Sequence, residues 1–125
     1  MLKNITLAAV SSVFLLLSYS AHAEPVCVVY SCKLKEGVTK DDAMEVNARW
    51  LKWARSTGGS DEITSSFVTA IVGDLGGFMW VDTFPDIATW GKVVDAESEF
   101  DAEFDAIMTC SNSRMLRGES TVPAK

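Results

Sequence analysis

Apolar and polar positions follow two rhythms along this chain, one typical of strands and one typical of helices. Alternation, or a short run rich in β-branched and aromatic residues, indicates a strand, whereas apolar residues at every third or fourth position indicate an amphipathic helix. Strands are predicted over Val26–Leu34, Ile63–Val72 and Phe78–Phe84, with a weaker fourth over Ser113–Ser120. A short glycine-rich turn separates the second from the third, which predicts a hairpin.

The first predicted helix has clear ends. Thr39 is a good N-cap with Asp42 at the capping-box position, and Gly58-Gly59 ends the pattern. The positions between them that recur at helical spacing are Ala43, Val46, Trp50, Trp53, Ala54 and Thr57. Two further helices are predicted, one opened by Pro85-Asp86 and one from about Glu97. Their inward positions are Ile87, Trp90, Val93 and Val94 in the former, and Phe100, Phe104, Ile107 and Met108 in the latter.

The first 23 residues have the pattern of a secretory signal peptide. Lys3 supplies a positive start, residues 5–17 are apolar apart from Thr and Ser, and Ala21-His22-Ala23 is a small-x-small cleavage site. The apolar run is shorter than the ~20 residues that a membrane-spanning helix needs. We therefore expect residues 1–23 to be removed and residues 24–125 to form a single domain in the periplasm or the medium.

Charge and composition exclude several functions. The chain has 11 basic and 17 acidic residues, and the loss of Lys3 with the leader changes the formal net charge from −6 to −7. This balance argues against nucleic acid and anionic membranes as partners. Cleavage also removes His22, the only histidine, so no Ser-His-Asp set can form in the mature chain.

Three cysteines remain in the mature chain: Cys27, Cys32 and Cys110. An odd count in an exported protein indicates one disulfide and one free thiol. Cys27 and Cys32 lie on one predicted strand, roughly 16 Å apart, which is too far for a bridge. Any disulfide therefore joins Cys110 to one of the other two. The alternative is three reduced thiols packed as small core residues.

The order strand, helix, strand, strand, helix, strand is that of the ferredoxin-like α+β fold, a four-stranded antiparallel sheet with helices on one face. The passage Phe78–Trp90 and the strand exit Leu34–Gly37 resemble those of the dimeric α/β-barrel superfamily. The resemblance implies a homodimer formed by two sheets packed face to face, with a pocket between sheet and helices. It also implies that strands one and four are neighbours, which pairs Cys32 with Cys110 and leaves Cys27 free.

The resemblance suggests candidate pocket residues as well. The superfamily includes cofactor-free oxygenases of aromatic polyketide-like substrates, in which Asn, Trp and Tyr side chains matter. Asn47 and Trp50 are three residues apart and share a helix face, and Tyr30 lies on the first strand. Phe78 and Trp80 either line the same cavity or anchor the dimer interface. The alternative is that the Trp side chains are core residues and Asn47 is solvated.

Asp82 shares a strand face with Phe78, Trp80 and Phe84, so it is a candidate for proton transfer. Alternatively it lies in water or pairs with Lys92 or Arg49.

Metal and haem sites are not expected. The acidic residues from Asp95 to Asp105 lie at alternate positions, which disperses them around a helix, so we interpret them as a solvated face. Haem-degrading relatives use a histidine ligand, which the mature chain lacks; only Tyr30, Cys27 or Met79 could replace it. We therefore expect no cofactor.

The sequence thus predicts an exported homodimer that binds a small apolar or aromatic molecule. The alternatives are a cofactor-independent monooxygenase or isomerase, with Asn47, Trp50 and Asp82 as catalytic candidates, and a structural or interaction protein without a pocket.

Overall fold

A computed structural model describes residues 24–73, 75–118 and 122–125 of the chain. The predicted leader and the end of the predicted fourth strand lie outside these residues. Within them, the elements are β1 (Val26–Leu34), α1 (Lys40–Gly58), β2 (Thr64–Thr69), β3 (Phe78–Phe84), α2 (Ile87–Val94), α3 (Phe100–Ile107) and β4 (Met108–Arg117). None of the described helices is both long enough and apolar enough to cross a membrane.

The strands form one antiparallel sheet in the order β2-β3-β1-β4. The predicted α+β ferredoxin-like fold is therefore confirmed, with β1 between β3 and β4. The bounds of β1 and β3 agree with the prediction, whereas β2 ends at Thr69 rather than Val72. Ile71 and Val72 lie beyond the ladder with β3 and are exposed, so their β-propensity finds no strand to pair with.

The predicted start of the last strand at Ser113 is wrong, because β4 begins at Met108. Met108 was expected on the inner side of the preceding helix, since it continues the helical spacing of Phe104 and Ile107. Pairing with β1 overrides that pattern: Met108 lies opposite Leu34, and the amide N–H of Lys35 donates to the carbonyl of Ile107.

The ends of α1 are those predicted. The hydroxyl of Thr39 accepts a hydrogen bond from the amide of Asp42, whose carboxylate accepts one from the Thr39 amide. At the other end, Gly59 adopts a left-handed conformation with φ 68°, which glycine tolerates without a Cβ clash. Helix α2 differs in its inner stripe: Ile87 and Val94 are about half exposed, and Thr89 is buried beside Val93 instead.

The helices cover one side of the sheet, where the buried core consists of two clusters. One is centred on Val26, Val28, Ala54, Ile63, Phe84 and Val93, and the other on Cys32, Ala43, Phe78, Trp80 and Met108. The opposite side of the sheet, here called the outer face, presents the apolar side chains of Val29, Val68, Met79, Val81 and Leu116. In antiparallel strands, directly paired residues point to the same side, which defines this set.

Candidate functional site

A cavity of about 370 Å³ lies between the sheet and helices α1 and α3, and we call it the central pocket. It is lined by Tyr30, Asn47, Trp50, Trp80, Asp82, Asp101, Phe104, Asp105, Met108 and Cys110. A smaller cavity of about 120 Å³ shares Tyr30, Trp50, Asp82 and Asp101 with it and adds Trp53 and Trp90. All four Trp side chains of the protein therefore line one cavity or the other.

Strand alternation and helix periodicity bring these side chains together. Tyr30 lies opposite Trp80 in the β1–β3 ladder, and Asp82 is two residues further along β3, on the same face. Asn47 and Trp50 are one turn apart on α1. The sheet thus provides the floor of the central pocket, and α1 provides one wall. The structure brings together Tyr30, Asn47, Trp50, Trp80 and Asp82, five of the candidates from the sequence.

A chain of hydrogen bonds connects the two buried polar side chains of the pocket. The Asn47 amide nitrogen donates to the Ser65 hydroxyl over 3.0 Å, and that hydroxyl donates to the Asp82 carboxylate. Asn47 and Asp82 are only 6% and 7% exposed, so neither is solvated. The pairings suggested for Asp82 are also wrong: its partner is Ser65, and Arg49 pairs with Glu103 instead.

Burial sets the electrostatics of the site. It raises the pKa of Asp82 to about 6, because removal from water disfavours the charged form, and the Ser65 hydrogen bond offsets part of this rise. The pKa of Tyr30 is raised by burial and then by the nearby charges of Asp82 and Asp101. Tyr30 therefore remains a neutral hydrogen-bond donor, while Asp82 can take up or release a proton near neutral pH.

Phe78 is not among the residues that line the central pocket. Its ring stacks on Phe67 with centroids 4.1 Å apart, and it meets Trp80 edge to face. It borders a separate cavity together with Met79 of the outer face. The reason is its position at the start of β3, opposite Cys32 and Thr69, four residues before Asp82. The Trp80 indole N–H, in turn, points to the sulfur of Met108 at 3.3 Å.

Solved structures share this arrangement of strands and helices. A mutant of SnoaB, a cofactor-independent oxygenase from Streptomyces nogalater, superposes with a TM-score of 0.62 at 10% identity, over 82% of this chain and 100% of SnoaB. A second SnoaB structure gives a TM-score of 0.59 at 12% identity, with the same coverage of both chains. The chain has the fold of the dimeric α/β-barrel superfamily.

A third structure with a similar fold is a conserved protein of unknown function from Bacteroides thetaiotaomicron. Its TM-score is 0.56 at 6% identity, over 76% of this chain and 98% of that protein. No family model matches the sequence, and no curated protein matches it. At these identities the likeness shows the fold alone, so the chemistry of the site has to be argued from its own residues.

Sequence reasoning missed several residues of the pocket: Ser65, Asp101, Phe104, Asp105 and Met108. Asp101 and Asp105 are exposed, as expected for a solvated acidic face, and they also border the pocket. Their spacing of four on α3 was the available signal, because it places both on the same side as Phe104. Ser65 could have been found only from the strand register, in which it lies opposite Asp82.

The disulfide joins Cys32 to Cys110, the pairing that the resemblance implied, and Cys27 is free. The two bridged residues are direct partners in the β1–β4 ladder. Cys110 also lines the central pocket, so the disulfide fixes the edge strand β4 to β1 beside this pocket. Among the residues that the structure describes, no group of His, Cys, Asp or Glu side chains is arranged to hold a metal ion.

Proposed function

We propose that the mature protein is an exported homodimer that binds a small, largely aromatic molecule in the central pocket. The observation that carries this proposal is the cavity of about 370 Å³, with aromatic walls and the buried Asn47–Ser65–Asp82 chain of hydrogen bonds. Ligand sites are typically apolar clefts of about 300–1,000 Å³ with a few well-placed polar groups. Such a cavity favours a ligand-binding role over a purely structural one.

Export and dimerisation have separate support. The leader pattern and a disulfide both fit an oxidising compartment. The outer face presents the partly exposed apolar side chains of Val68, Met79 and Val81 on a sheet whose other side is covered by helices. The resemblance to dimeric α/β barrels implies that a second copy packs against this face. Val29, Met79 and Val81 would lie at the centre of such a contact.

Native mass spectrometry of protein purified from the exported fraction tests this proposal. We expect a dimer whose subunits lack residues 1–23 and carry a non-covalent adduct of small mass. Trp50→Leu, which keeps an apolar side chain on α1 but removes the indole, should lose the adduct. Met79→Leu, a similar change on the outer face, should keep it. A wild-type protein that carries no adduct and binds no aromatic compound in titrations would contradict the proposal.

A second candidate function, proton transfer on the bound molecule, is favoured by Asp82. This carboxyl lines the pocket, is buried, and has a pKa of about 6, which suits a general base near neutral pH. Removal of a proton from an acidic C–H group would leave an enolate, which the Tyr30 hydroxyl or the Asn47 amide could stabilise by hydrogen bonding. Such a step is common to isomerases and to cofactor-independent oxygenases, the activity named for SnoaB.

Deuterium exchange tests this second function without knowledge of the natural substrate. The enolisable aromatic ketone 2-tetralone is incubated with the protein in deuterated buffer, and loss of its C1 proton signal is followed by NMR. We expect exchange faster than in buffer, lost in Asp82→Asn and retained in Asp105→Asn. Equal exchange by wild type and Asp82→Asn would show that Asp82 is not a base.

A further inference from the structure

We propose that the ligand of the central pocket is a cation: an aromatic amine or an aromatic quaternary ammonium compound. This inference rests on the proposed ligand-binding function and adds the charge of the ligand to it.

The charged side chains that line the pocket all have one sign. Asp82 lies in the floor, and Asp101 and Asp105 lie on α3. The adjoining smaller cavity again has Asp82 and Asp101 as its charged residues. Of the described residues, no Lys or Arg lines either cavity. A ligand in this space therefore meets up to three carboxylates and no counter-charge.

Two basic side chains contact α3 outside the pocket lining. The Arg49 guanidinium pairs with Glu103 and lies 5.8 Å from the Phe100 ring centroid. The Lys35 ammonium donates to the main-chain carbonyl of Asp105. Neither side chain lines the pocket, and the Arg49 charge is paired with Glu103, so of these two only the Lys35 ammonium, beside the Asp105 main chain, offsets part of the negative charge at the pocket. The pKa of Tyr30 is raised first by burial and then by the charges of Asp82 and Asp101, so these two carboxylates act on the same space.

The spacing of Asp101 and Asp105 also favours binding of a positively charged group. Asp101 and Asp105 are four apart on α3, where like charges repel each other. Together with Asp82 they are too dispersed to form a metal site among the described residues. A cationic group of a ligand can lie between carboxylates at larger separations than a bare metal ion, because it is bulky and binds through charge and hydrogen bonds.

The rest of the lining suits an organic cation rather than an inorganic one. Tyr30, Trp50, Trp80 and Phe104 surround the same space. The faces of aromatic rings attract ammonium groups electrostatically, and aromatic cages are the common solution for quaternary ammonium ligands. The same rings offer stacking surfaces to an aromatic part of the ligand. An anion would instead be repelled by all three carboxylates.

Calorimetric titration with three matched probes tests the inference. 1-Naphthylmethylamine, 1-naphthylmethanol and 1-naphthoate share one ring system and differ in charge. We expect the amine to bind about tenfold more tightly than the alcohol at pH 7.5 and low salt, and the naphthoate most weakly. Equal affinities of amine and alcohol would overturn the cation preference and leave the binding function standing. Binding of none of the three would overturn both.

Two double variants show where the preference arises. Asp101→Asn/Asp105→Asn removes two exposed charges at the pocket, and it should bring the ratio of amine affinity to alcohol affinity towards one. The control Asp61→Asn/Glu62→Gln removes the same charge from exposed positions between α1 and β2 and should keep the ratio. An equal fall of the ratio in both variants would attribute the preference to the net charge of the protein and overturn the assignment to the pocket.

Discussion

Asp82 lies directly opposite Ser65 in the β2–β3 ladder, and its carboxylate accepts a hydrogen bond from the Ser65 hydroxyl. The same hydroxyl accepts a hydrogen bond from Asn47 on α1, so the sheet and the helix are joined through one side chain at the floor of the central pocket. Among the described residues the donor to this buried carboxylate is one neutral hydroxyl, which compensates poorly for its lost hydration. This relationship therefore contributes to the pH dependence of stability and affects the protonation of the carboxyl that lines the pocket.

Asp82→Asn should remove a pH-dependent part of the stability. The pKa of Asp82 is about 6 in the folded protein and ~3.9 in an unfolded chain, so the folded state binds this proton more tightly. Protonation therefore favours folding, and the free energy of unfolding of the wild type should fall by about 2–3 kcal/mol as the pH rises from 4 to above 6. Urea denaturation at several pH values measures this change.

Other carboxyls act in the opposite direction and provide an internal control. The pKa values of Asp42, Asp86 and Glu103 are lowered by hydrogen bonds to Thr39, Thr89 and Arg49, so their stabilisation is present at higher pH and lost as the pH falls. They are present in both proteins and cancel in the difference. If the free energy of unfolding of the wild type does not fall relative to that of Asp82→Asn between pH 4 and above 6, the pKa of Asp82 is not raised in the folded protein.

Gly58→Ala should destabilise the protein, although alanine favours helices. A Cβ at Gly58 would lie 2.9 Å from Ile63 Cδ1 and 3.1 Å from side-chain atoms of both Thr89 and Val93, where α1 packs against α2. We expect a net loss of about 1–3 kcal/mol from overpacking. Gly91→Ala is the matched control, because a Cβ added at Gly91 meets no atom within 4 Å. This variant should be stabilised by about 0.5–1 kcal/mol through the higher helix propensity of alanine. Thermal unfolding that shifts both variants in the same direction would contradict this packing.

Cys110→Ser should lower stability by about 2–4 kcal/mol in non-reducing conditions. The bridge to Cys32 spans 78 residues, so its loss releases a long loop in the unfolded chain. In denaturant titrations, added reductant should lower the unfolding midpoint of the wild type to that of the variant. Cys27→Ser should behave as wild type in both conditions, because Cys27 is free. Insensitivity of the wild type to reductant would mean that the bridge does not form.

Val81→Glu should convert the proposed homodimer into a folded monomer. Val81 lies in the middle of the outer face, opposite Val29, and a carboxylate there would be buried without a partner in the proposed contact between two sheets. Light scattering after size exclusion measures the mass in solution. Met44→Glu, at an exposed position of α1, makes the same kind of change away from the sheet and should remain dimeric. A monomeric wild type at micromolar concentration would contradict dimerisation through this face.

Much of the fold could be predicted because local signals and tertiary structure agree. The cap at Thr39, the glycine stop after α1 and the alternation of β1 and β3 are local, and all three are present. The start of β4 at Met108 was missed, because helical spacing continued across it while the deciding contact, pairing with β1, is 74 residues distant in sequence.

The candidate site was predictable only in part, for the same reason. The period of a single strand or helix predicts the side on which a residue lies. It was sufficient for five residues that meet in the pocket: Tyr30, Asn47, Trp50, Trp80 and Asp82. The position of Ser65 beside Asp82 depends on the register of β2 with β3, and the position of Asp101 at the pocket depends on how α3 lies across the sheet. Neither relation is encoded by a local pattern.

The central claim is that the central pocket is the ligand site. Its most direct test is to titrate the labelled protein with 1-naphthylmethylamine and to follow side-chain NMR signals. We expect shifts of the indole N–H signals of Trp50 and Trp80 and of the Asn47 side-chain amide signals, while the methyl signals of Val81 and Leu116 stay unchanged. Shifts confined to Val81 and Leu116 on the outer face, or no shift at all, would contradict it.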